Sequence, residues 1–230
     1  MPDDAPAETD QPLGATVDTT PATAPDAAPI VGRWVSLAPP SGALAGALFP
    51  ATHGSPAVET VWTYMPYGPF EDEASMAAWL DGLRGSSDPR FFAVSLADGT
   101  PAGVVSYLNV SAMDRRIEIG HIWYVPAAQR TRANTEVAYL LLRHAFDDLG
   151  FRRVEWKCDA LNARSRVAAE RLGFTYEGTF RHHLIVKERN RDTAWFSMLE
   201  GEWPRVRAAM ERWFDAEPGS MSLGALTAPR

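Results

Sequence analysis

Apolar residues recur along the chain with two periods, which predict strands alternating with helices. Runs rich in β-branched and aromatic residues, bounded by Pro, Gly or Asp, are typical of strands, and apolar residues three or four positions apart indicate helices. The predicted strands are 30–37, two runs within 91–110 around Asp98-Gly99, 116–125, 153–158, and two runs within 174–199. The predicted helices are short pieces within 41–70, a helix at 71–83, one capped by Asn134 or Thr135 and stopped by Gly150, one at 163–172 and one at 203–214.

The order of these elements predicts an α/β fold. Antiparallel hairpins followed by a strand-helix-strand unit make a mixed, mostly antiparallel sheet with helices on both faces. Residues 1–29 are mainly Ala, Pro, Asp and Thr, and ordering them would cost entropy that little burial offsets. We therefore expect a disordered tail at 1–29, a folded domain at 30–217 and a flexible C-terminal tail at 218–230.

Composition and charge narrow the classes of function. The chain has 230 residues, of which 46% are hydrophobic and 22% charged, an ordinary globular balance. A net charge of −7 argues against nucleic-acid or anionic-membrane partners, and no apolar run approaches the roughly 18 residues of a membrane helix. Cys158 is the only cysteine, which excludes an intrachain disulfide and a Cys-based zinc site. We expect a cytoplasmic protein without a metal.

The junction between strand 116–125 and the next helix is the first candidate for chemistry. The strand stops at Pro126, and QRTRANTE at 129–136 leads into the capped helix. A helix N-terminus offers unpaired N–H groups and the positive end of a dipole, which suit a pyrophosphate, and Arg130 and Arg132 add charge. A turn that binds nothing, with solvated arginines, is the alternative.

The segment NARSRVAAERLGF at 162–174 is the second candidate. An ordinary helix explains nearly all of it, because Asn162 makes a good cap, Val167, Ala168 and Leu172 fit the core, and Gly173 stops the helix.

Together and in order, the two segments resemble the GNAT (general N-acetyltransferase) superfamily over residues 30 to about 198. They are most similar to the branch that acetylates ribosomal protein N-termini and also contains small-molecule and peptide-antibiotic acetyltransferases. Its loop of the type Gln-x-x-Gly-x-Ala-Thr-Glu-Ala is matched at Gln129, Thr135 and Glu136. Its later Asn-x-x-Ser and Gly-Phe motifs are matched by Asn162, Ser165, Gly173 and Phe174.

Two loop positions depart from this pattern. Arg132 stands where the family usually has Gly, and Asn134 where it has Gly or Ala. Glycine lets a backbone approach phosphate without a Cβ in the way. Arg132 therefore implies either a different loop path or a side chain that itself meets phosphate.

The resemblance implies acetyl-CoA as cosubstrate. Its pantetheine arm would lie between the diverging strand ends 121–125 and 156–160, pairing with them as an added strand does. The implied cofactor-binding residues are Trp123, Val125, Gln129, Arg130, Thr131, Arg132, Ala133, Asn134, Thr135, Asn162 and Ser165.

An amine attacks a thioester only when neutral, so a base must take its proton. Glu118 is the first candidate, and the alternative is a surface carboxylate opposite Arg115 or Arg116. Asp159 is the second candidate for the base, and His121 is the third. Strict alternation along the strand places His121 on the same face as Ile119 and Trp123, where a packed histidine is expected. Ser165 is implied as hydrogen-bond donor to the departing thiolate, with a helix-surface serine as the alternative. Backbone N–H groups would polarise the acetyl carbonyl.

The family uses the first helices and the last hairpin as walls of the acceptor site. Trp62, Tyr64, Tyr67 and Phe70 would form an aromatic pocket, or else part of the core. In the turn VKERNRDTAWF, Arg189 lies near the mouth with Lys187 and Arg191, and these charges favour an acceptor with a carboxylate or a peptide backbone, unless they belong to a solvated hairpin.

The function implied is transfer of an acetyl group from acetyl-CoA to a primary amine by direct attack. The acceptor would be a protein or peptide N-terminus, an amino acid or a small amine. One alternative is a catalytically silent acyl-CoA-binding regulatory module, which the missing loop glycine supports. Another is an interaction protein whose tails recruit partners. A free sheet edge would allow a homodimer.

Overall fold

One eight-stranded sheet forms the centre of the protein. The structure, a computed structural model, describes residues 12–228. The strands follow the order β1-β2-β3-β4-β5-β6-β8-β7, and every neighbouring pair is antiparallel except β5 and β6. Their bounds are β1 Ile30–Val31, β2 Val35–Ala38, β3 Arg90–Leu96, β4 Pro101–Ser111, β5 Arg116–Tyr124, β6 Arg153–Asp159, β7 Thr175–Val186 and β8 Arg189–Leu199. The predicted mixed, mostly antiparallel sheet is confirmed.

Helices cover both faces of the sheet. They are α1 Ala45–Thr52, α2 Pro56–Glu59, α3 Glu73–Gly82, α4 Arg132–Arg143, α5 Ala163–Arg171, α6 Trp203–Asp215 and α7 Leu223–Thr227. On the α4 face, the Tyr107 hydroxyl donates to the carbonyl of Leu141 in α4. On the opposite α3 face, Trp62 packs on Trp123 with ring centroids 4.8 Å apart. No helix within residues 12–228 combines the length and apolar character needed to cross a membrane.

Helix α4 buries the apolar stripe that its sequence predicts. Val137, Ala138, Leu141 and Leu142 are all buried, and a wider helical turn at His144–Asp148 continues the helix. Its start differs from the prediction, because the N-cap is Thr131 rather than Asn134 or Thr135. Arg130 turns the chain with a φ of +59°, so helical geometry begins earlier than the capping residues suggested.

Residues 30–37 form two strands rather than the single one predicted. Ile30 pairs with Leu37 across an antiparallel hairpin. The Gly32 N–H donates to the Val35 carbonyl at 2.8 Å and closes the turn. The N–H groups of Arg33 and Trp34 are therefore left to point away from the sheet, toward α4.

Two segments predicted as tails pack against the domain. Ala22 and Pro25 are buried, and the Ala22 N–H donates to the Ala112 carbonyl at 3.0 Å. At the other end, α7 buries Leu223, and the Thr227 hydroxyl donates to the Arg171 carbonyl at 2.9 Å. Small side chains lose little rotamer entropy, so modest burial suffices to order them. Residues 1–11 and 229–230 lie outside the described range.

Strand β5 contains a bulge at its centre. Ser106 pairs with Gly120, but Val104 pairs with Trp123, so two residues of β5 oppose one of β4. His121 has a φ of +52° there. The prediction that His121 and Trp123 share a face with Ile119 is wrong, because the extra residue moves Trp123 to the face that carries Glu118.

Candidate active site

Strands β5 and β6 separate in the middle of the sheet. Their parallel ladder ends where Ile119 pairs with Trp156. Beyond this point β5 stays with β4, and β6 stays with β8, for example through Lys157 and Trp195. The facing backbone edges of the two strands are therefore not joined to each other, and an extended ligand chain could lie between them.

A crevice too narrow to admit a water molecule lies on the α4 face beside this separation. It lies between the first turns of α4 and the sheet, and Asn134 stands at its α4 side. The lining is otherwise apolar and consists of Val105, Ile119, Ile122, Tyr124, Val137, Ala138, Leu141 and Trp156.

The N-terminus of α4 is open to an anion. The Thr131 hydroxyl donates to the Ala128 carbonyl at 2.8 Å and makes no cap bond to the helix. Gln129 is also used locally, since its Nε2 donates to the Tyr124 carbonyl at 3.0 Å. The first N–H groups of a helix have no intrahelical partner, so this turn can present them to phosphate oxygens. Arg130 is exposed beside it.

Arg132 is turned away from this turn. Its Nη1 donates to the Phe214 carbonyl at 3.0 Å, and Nη2 donates to that of Ala216, both at the end of α6. The guanidinium carbon lies 5.6 Å from the Trp34 ring centroid and 5.4 Å from that of Trp213. The prediction that the Arg132 side chain meets phosphate is therefore not supported, because carbonyls at the negative end of a helix hold it.

Arg132→Ala should lower the free energy of unfolding by about 2 kcal/mol, because two carbonyls lose a charged donor. Its affinity for acetyl-CoA should stay within about threefold of wild type, a difference below 1 kcal/mol. Arg130→Ala is the matched variant in the same loop and should show the reverse, a weaker affinity and unchanged stability. Urea denaturation and titration calorimetry measure both quantities. A greater loss of affinity in Arg132→Ala than in Arg130→Ala would contradict this assignment.

The other predicted cofactor residues contribute in different ways. Trp123, Val125 and Ala133 are buried, so they can offer a ligand mainly their backbone. The Thr135 hydroxyl is buried and accepts from Nη1 of Arg171 at 3.1 Å. Asn162 caps α5, where its Oδ1 accepts from the Ser165 N–H at 3.1 Å, as predicted. Arg171, which sequence reasoning missed, thus adds a positive charge beside the first turn of α4.

Ser165 lies over the end of β6 on the α4 face. Its Oγ accepts a hydrogen bond from the Trp156 indole at 3.0 Å. That bond uses a lone pair of the oxygen, so the hydroxyl hydrogen can still be donated. Within the protein it faces the Cys158 sulfur, where a Ser165 hydrogen bond opposes the rise that burial causes in the pKa of Cys158. Val167, predicted as core, is 61% exposed on the same helix, because α5 turns that position to solvent.

Glu118 lies on the α3 face, next to the point where β5 and β6 separate. It is only 5% exposed, and its Oε2 lies 2.6 Å from Nζ of Lys157 and accepts from Nδ2 of Asn109 at 2.7 Å. Its Oε1 accepts no hydrogen bond from residues 12–228. Oε1 leans along the strand, since a Cβ added at Gly120 would lie 3.5 Å from it. One carboxylate oxygen is thus anchored, and the other is available.

Burial raises the pKa of Glu118, and the charge of Lys157 and the Asn109 hydrogen bond oppose that shift. The alternative of a surface carboxylate opposite Arg115 or Arg116 is wrong, because Arg115 pairs with Glu200 at 3.4 Å and Arg116 with Asp114 at 3.9 Å. Lys157 and Asn109 were missed. The alternation of Arg153, Glu155 and Lys157 was the only sequence signal for Lys157, and Asn109 had none.

The two other base candidates are less suited to proton transfer. Burial, assisted by the charge of Arg191, lowers the pKa of His121 to about 4. The ring also packs between Tyr67 and Phe91, at 5.7 and 5.0 Å between centroids. Asp159 accepts the Leu161 N–H at 2.8 Å through Oδ1 and so shapes the loop after β6.

The predicted acceptor residues divide into core and mouth. Trp62 is 1% exposed and donates to the Thr52 carbonyl at 3.2 Å, so it is a core residue rather than a pocket wall. Tyr64 donates from its hydroxyl to the carbonyl of Leu161, in the loop after β6, at 3.2 Å. Tyr67 stacks on His121 beside the separated strands. Arg189 is exposed at the hairpin turn.

Glu136 has a role that its motif match did not reveal. Its carboxylate is 5% exposed and accepts three backbone N–H bonds, from Arg33 at 2.7 Å, Trp34 at 2.6 Å and Val35 at 2.9 Å. The β1–β2 turn approaches so closely that a Cβ on Gly32 would lie 2.6 Å from the Glu136 carboxyl carbon. This contact fixes the first turn of α4 against the sheet.

Comparison with known proteins finds similar acetyltransferase sequences and structures. The model of the acetyltransferase (GNAT) domain matches residues 35–175. A crystal structure of a GCN5-related N-acetyltransferase from Brucella melitensis is similar, with 38% identity, 90% of this chain and 97% of that chain covered, and a TM-score of 0.84. A probable GNAT-family acetyltransferase from Chromobacterium violaceum ATCC 12472 has 42% identity, covers 89% of this chain and 100% of that chain, and has a TM-score of 0.73.

A further similarity is to YdaF of Bacillus subtilis (strain 168), whose name marks it as a proposed ribosomal N-acetyltransferase. The two proteins are 32% identical over 108 residues, which is 47% of this chain. The match spans 58% of the length of YdaF.

Proposed function

Because this chain belongs to the GNAT acetyltransferase family, we propose that it is an N-acetyltransferase that moves an acetyl group from acetyl-CoA to a primary amine. The observation that carries the proposal is the position of Glu118, whose free carboxylate oxygen lies next to the separation of β5 and β6. No other carboxylate among the base candidates combines burial with an available oxygen at that place.

The residues present fit acetyl-CoA, which when bound supplies an activated thioester. The α4 N-terminus lacks a side-chain cap, as a pyrophosphate site requires, and Arg130 and Arg171 lie beside it. The ladder between β5 and β6 ends at Ile119, leaving backbone groups for a pantetheine arm.

The acceptor side is the α3 face. Glu118 Oε1 would take a proton from the ammonium form of the acceptor, directly or through one water molecule. Lys157 and Asn109 hold Oε2 and keep the carboxylate oriented, so each acts as a positioning residue. Direct attack of the neutral amine then requires no covalent intermediate on the protein.

The name of one relative bears on the acceptor class. YdaF is named for a ribosomal substrate, which favours a protein or peptide N-terminus among the primary amines. An amino acid or a small amine would use the same chemistry. Assembly into a homodimer through the exposed edge strand β7 stays a prediction.

Ser165→Ala should slow transfer from acetyl-CoA by about tenfold, because the departing thiolate loses a hydrogen-bond donor. With an acetyl donor whose thiol is more acidic, the same variant should lose less, since that thiolate needs less stabilisation. Rates of single turnovers with the two donors measure the difference. Equal slowing with both donors would remove Ser165 from this role.

The test of the proposed function is titration calorimetry with acetyl-CoA, followed by a free-thiol release assay with amines, amino acids and short peptides. Micromolar binding with amine-dependent thiol release is the expected result. Binding without release to any amine would instead indicate a silent acyl-CoA-binding module. Absence of binding would overturn the assignment of the α4 N-terminus and of the separated strands.

A further inference from the structure

Buried hydrogen-bond donors without acceptors collect on the α3 face. Five side-chain polar atoms within residues 12–228 are buried without a partner, and four of them are Tyr67 Oη, Trp123 Nε1, Arg191 Nε and Trp195 Nε1. Tyr67 and Trp123 lie close to each other, because a hydrogen bond from Trp123 opposes the rise that burial causes in the pKa of Tyr67. Arg191 and Trp195 are therefore the two donors that need another partner. The sheet register places Trp123, Arg191 and Trp195 on this face, and Tyr67 stacks on His121 there. Buried polar groups in folded proteins are nearly always paired, so unpaired donors at this place call for an acceptor that residues 12–228 do not supply.

Arg191 is the charged member of this cluster. Asp159 pairs with Thr193, so Arg191 lies two positions further along the same face, where β6 has ended and β8 borders the gap toward β5. Its charge reaches both sides of that gap. It adds to the effect of burial in lowering the pKa of His121 on β5, and it opposes the effect of burial on the pKa of Cys158 on β6.

Nearby carboxylates do not neutralise Arg191. It forms no ion pair with any residue within 12–228. Asp159 accepts the Leu161 N–H, and Asp192 accepts the His182 N–H at 2.7 Å and Nδ2 of Asn190 at 3.0 Å. A guanidinium with a buried, unpaired Nε costs desolvation energy unless an anion approaches it.

We infer that Arg191 binds a carboxylate of the acceptor, so that the substrates of this enzyme are amines that also carry a carboxylate. The inference rests on the proposed acetyl transfer and names its acceptor class. A guanidinium offers two parallel N–H groups that match a carboxylate. Trp195, on the same face, adds a neutral donor. Glu118 lies further along this face, beside Lys157, and Nζ of Lys157 lies 3.9 Å from the Trp195 ring centroid. The carboxylate end of the acceptor would therefore contact Arg191, and its amine would contact Glu118.

The mouth of the site supports an elongated acceptor of this kind. Lys187 at the β7–β8 turn donates to the Trp62 carbonyl at 2.9 Å, and Tyr64 bonds to the loop after β6 at 3.2 Å. These two contacts hold the segment 62–64 against the β7–β8 turn and the loop after β6. Phe180 and Leu184, which pair with Thr193 and Arg191, leave an apolar strip exposed for the remainder of the acceptor.

The test compares acceptor pairs that differ only in the carboxylate, namely short peptides with a free C-terminal or acidic side-chain carboxylate against their carboxamides. Wild-type enzyme should show about a 10- to 100-fold higher kcat/KM for the carboxylate member, the range expected for a hydrogen-bonded ion pair. Arg191→Gln should abolish this preference, because kcat/KM for the carboxylate member should fall to that of the carboxamide, and the affinity for acetyl-CoA should stay within a few-fold of wild type. Arg191→Lys should restore part of it, because the charge returns without the planar fork.

Two further variants and a binding assay keep the outcomes distinct. Arg181→Gln removes the same charge from an exposed position of the same hairpin and should keep the preference. Calorimetric binding of each acceptor pair to enzyme saturated with coenzyme A needs no turnover and should show the same difference. Equal binding of both members, an unchanged preference in Arg191→Gln, or its loss in Arg189→Gln instead, would overturn the inference. Failure of the proposed function alone would appear as carboxylate-selective binding without thiol release.

Discussion

Replacing Glu136 by glutamine is expected to lower the free energy of unfolding by about 2–3 kcal/mol. The carboxylate accepts N–H bonds from Arg33, Trp34 and Val35 at 2.6–2.9 Å. A glutamine amide keeps only one oxygen, and its NH2 group would face at least one N–H donor. Denaturant unfolding measures the loss, and calorimetry with acetyl-CoA should show weaker binding because the first turn of α4 is released.

The close approach of Gly32 supplies an independent check. Gly32→Ala should be strongly destabilising alone, since its Cβ would lie 2.6 Å from the Glu136 carboxyl carbon. In the background of Glu136→Ala the same change should cost little, so the two effects should be non-additive. Glu170→Gln is the control, because Glu170 is exposed on α5. Additive effects, or a Glu136→Gln loss no larger than that of Glu170→Gln, would contradict the assigned contact.

Local patterns in the sequence were sufficient for most of the elements. The Asp98-Gly99 signal predicts the hairpin of β3 and β4, and Gly99 indeed has a φ of +86°. The apolar stripe of α4 predicts the face that packs on the sheet, because burial follows helical spacing. These features depend on residues close together in the chain, which is why a single sequence contains them.

Features set by distant residues could not be predicted. The bulge at His121 changes the side to which Trp123 points, yet its local composition is that of an ordinary strand. Arg132 finds its partners at the end of α6, 82 and 84 positions away, so its charge alone suggested a phosphate contact. The ion pair of Glu118 and Lys157 depends on the parallel register of β5 and β6.

The sequence predicted the residues of the candidate site that belong to local motifs, but not the contacts that depend on distant residues. Motif positions such as Asn162 and Gln129 could be located because their spacing is local, and the structure shows what each side chain bonds to. The sequence predicted Lys187, Arg189 and Arg191 as one charged turn, but the strand register places the three side chains in different surroundings. Only Arg191 has a buried, unpaired nitrogen, whereas Arg189 is exposed and Lys187 bonds to the Trp62 carbonyl.

Glu118→Gln should lower kcat by about 100- to 1,000-fold, the contribution typical of a general base, and should leave the affinity for acetyl-CoA unchanged. Glutamine keeps the shape of the side chain but cannot take the proton at Oε1. Glu155→Gln is the matched control, because Glu155 is equally buried on β6 and lies 4.0 Å from Lys157. It should change stability while keeping kcat within a few-fold. Similar losses of kcat in both variants would assign Glu118 a structural role instead.

The pH dependence separates the base from the acceptor amine. Since burial raises the pKa of Glu118, the rate should fall as pH decreases through a value above the ordinary range of glutamic acid. Glu118→Gln should lose this acid limb and retain only the dependence on the neutral amine. Lys157→Met should move the limb to higher pH, because the positive charge that favours ionised Glu118 is removed. An acid limb that stays in place in both variants would show that another group takes the proton.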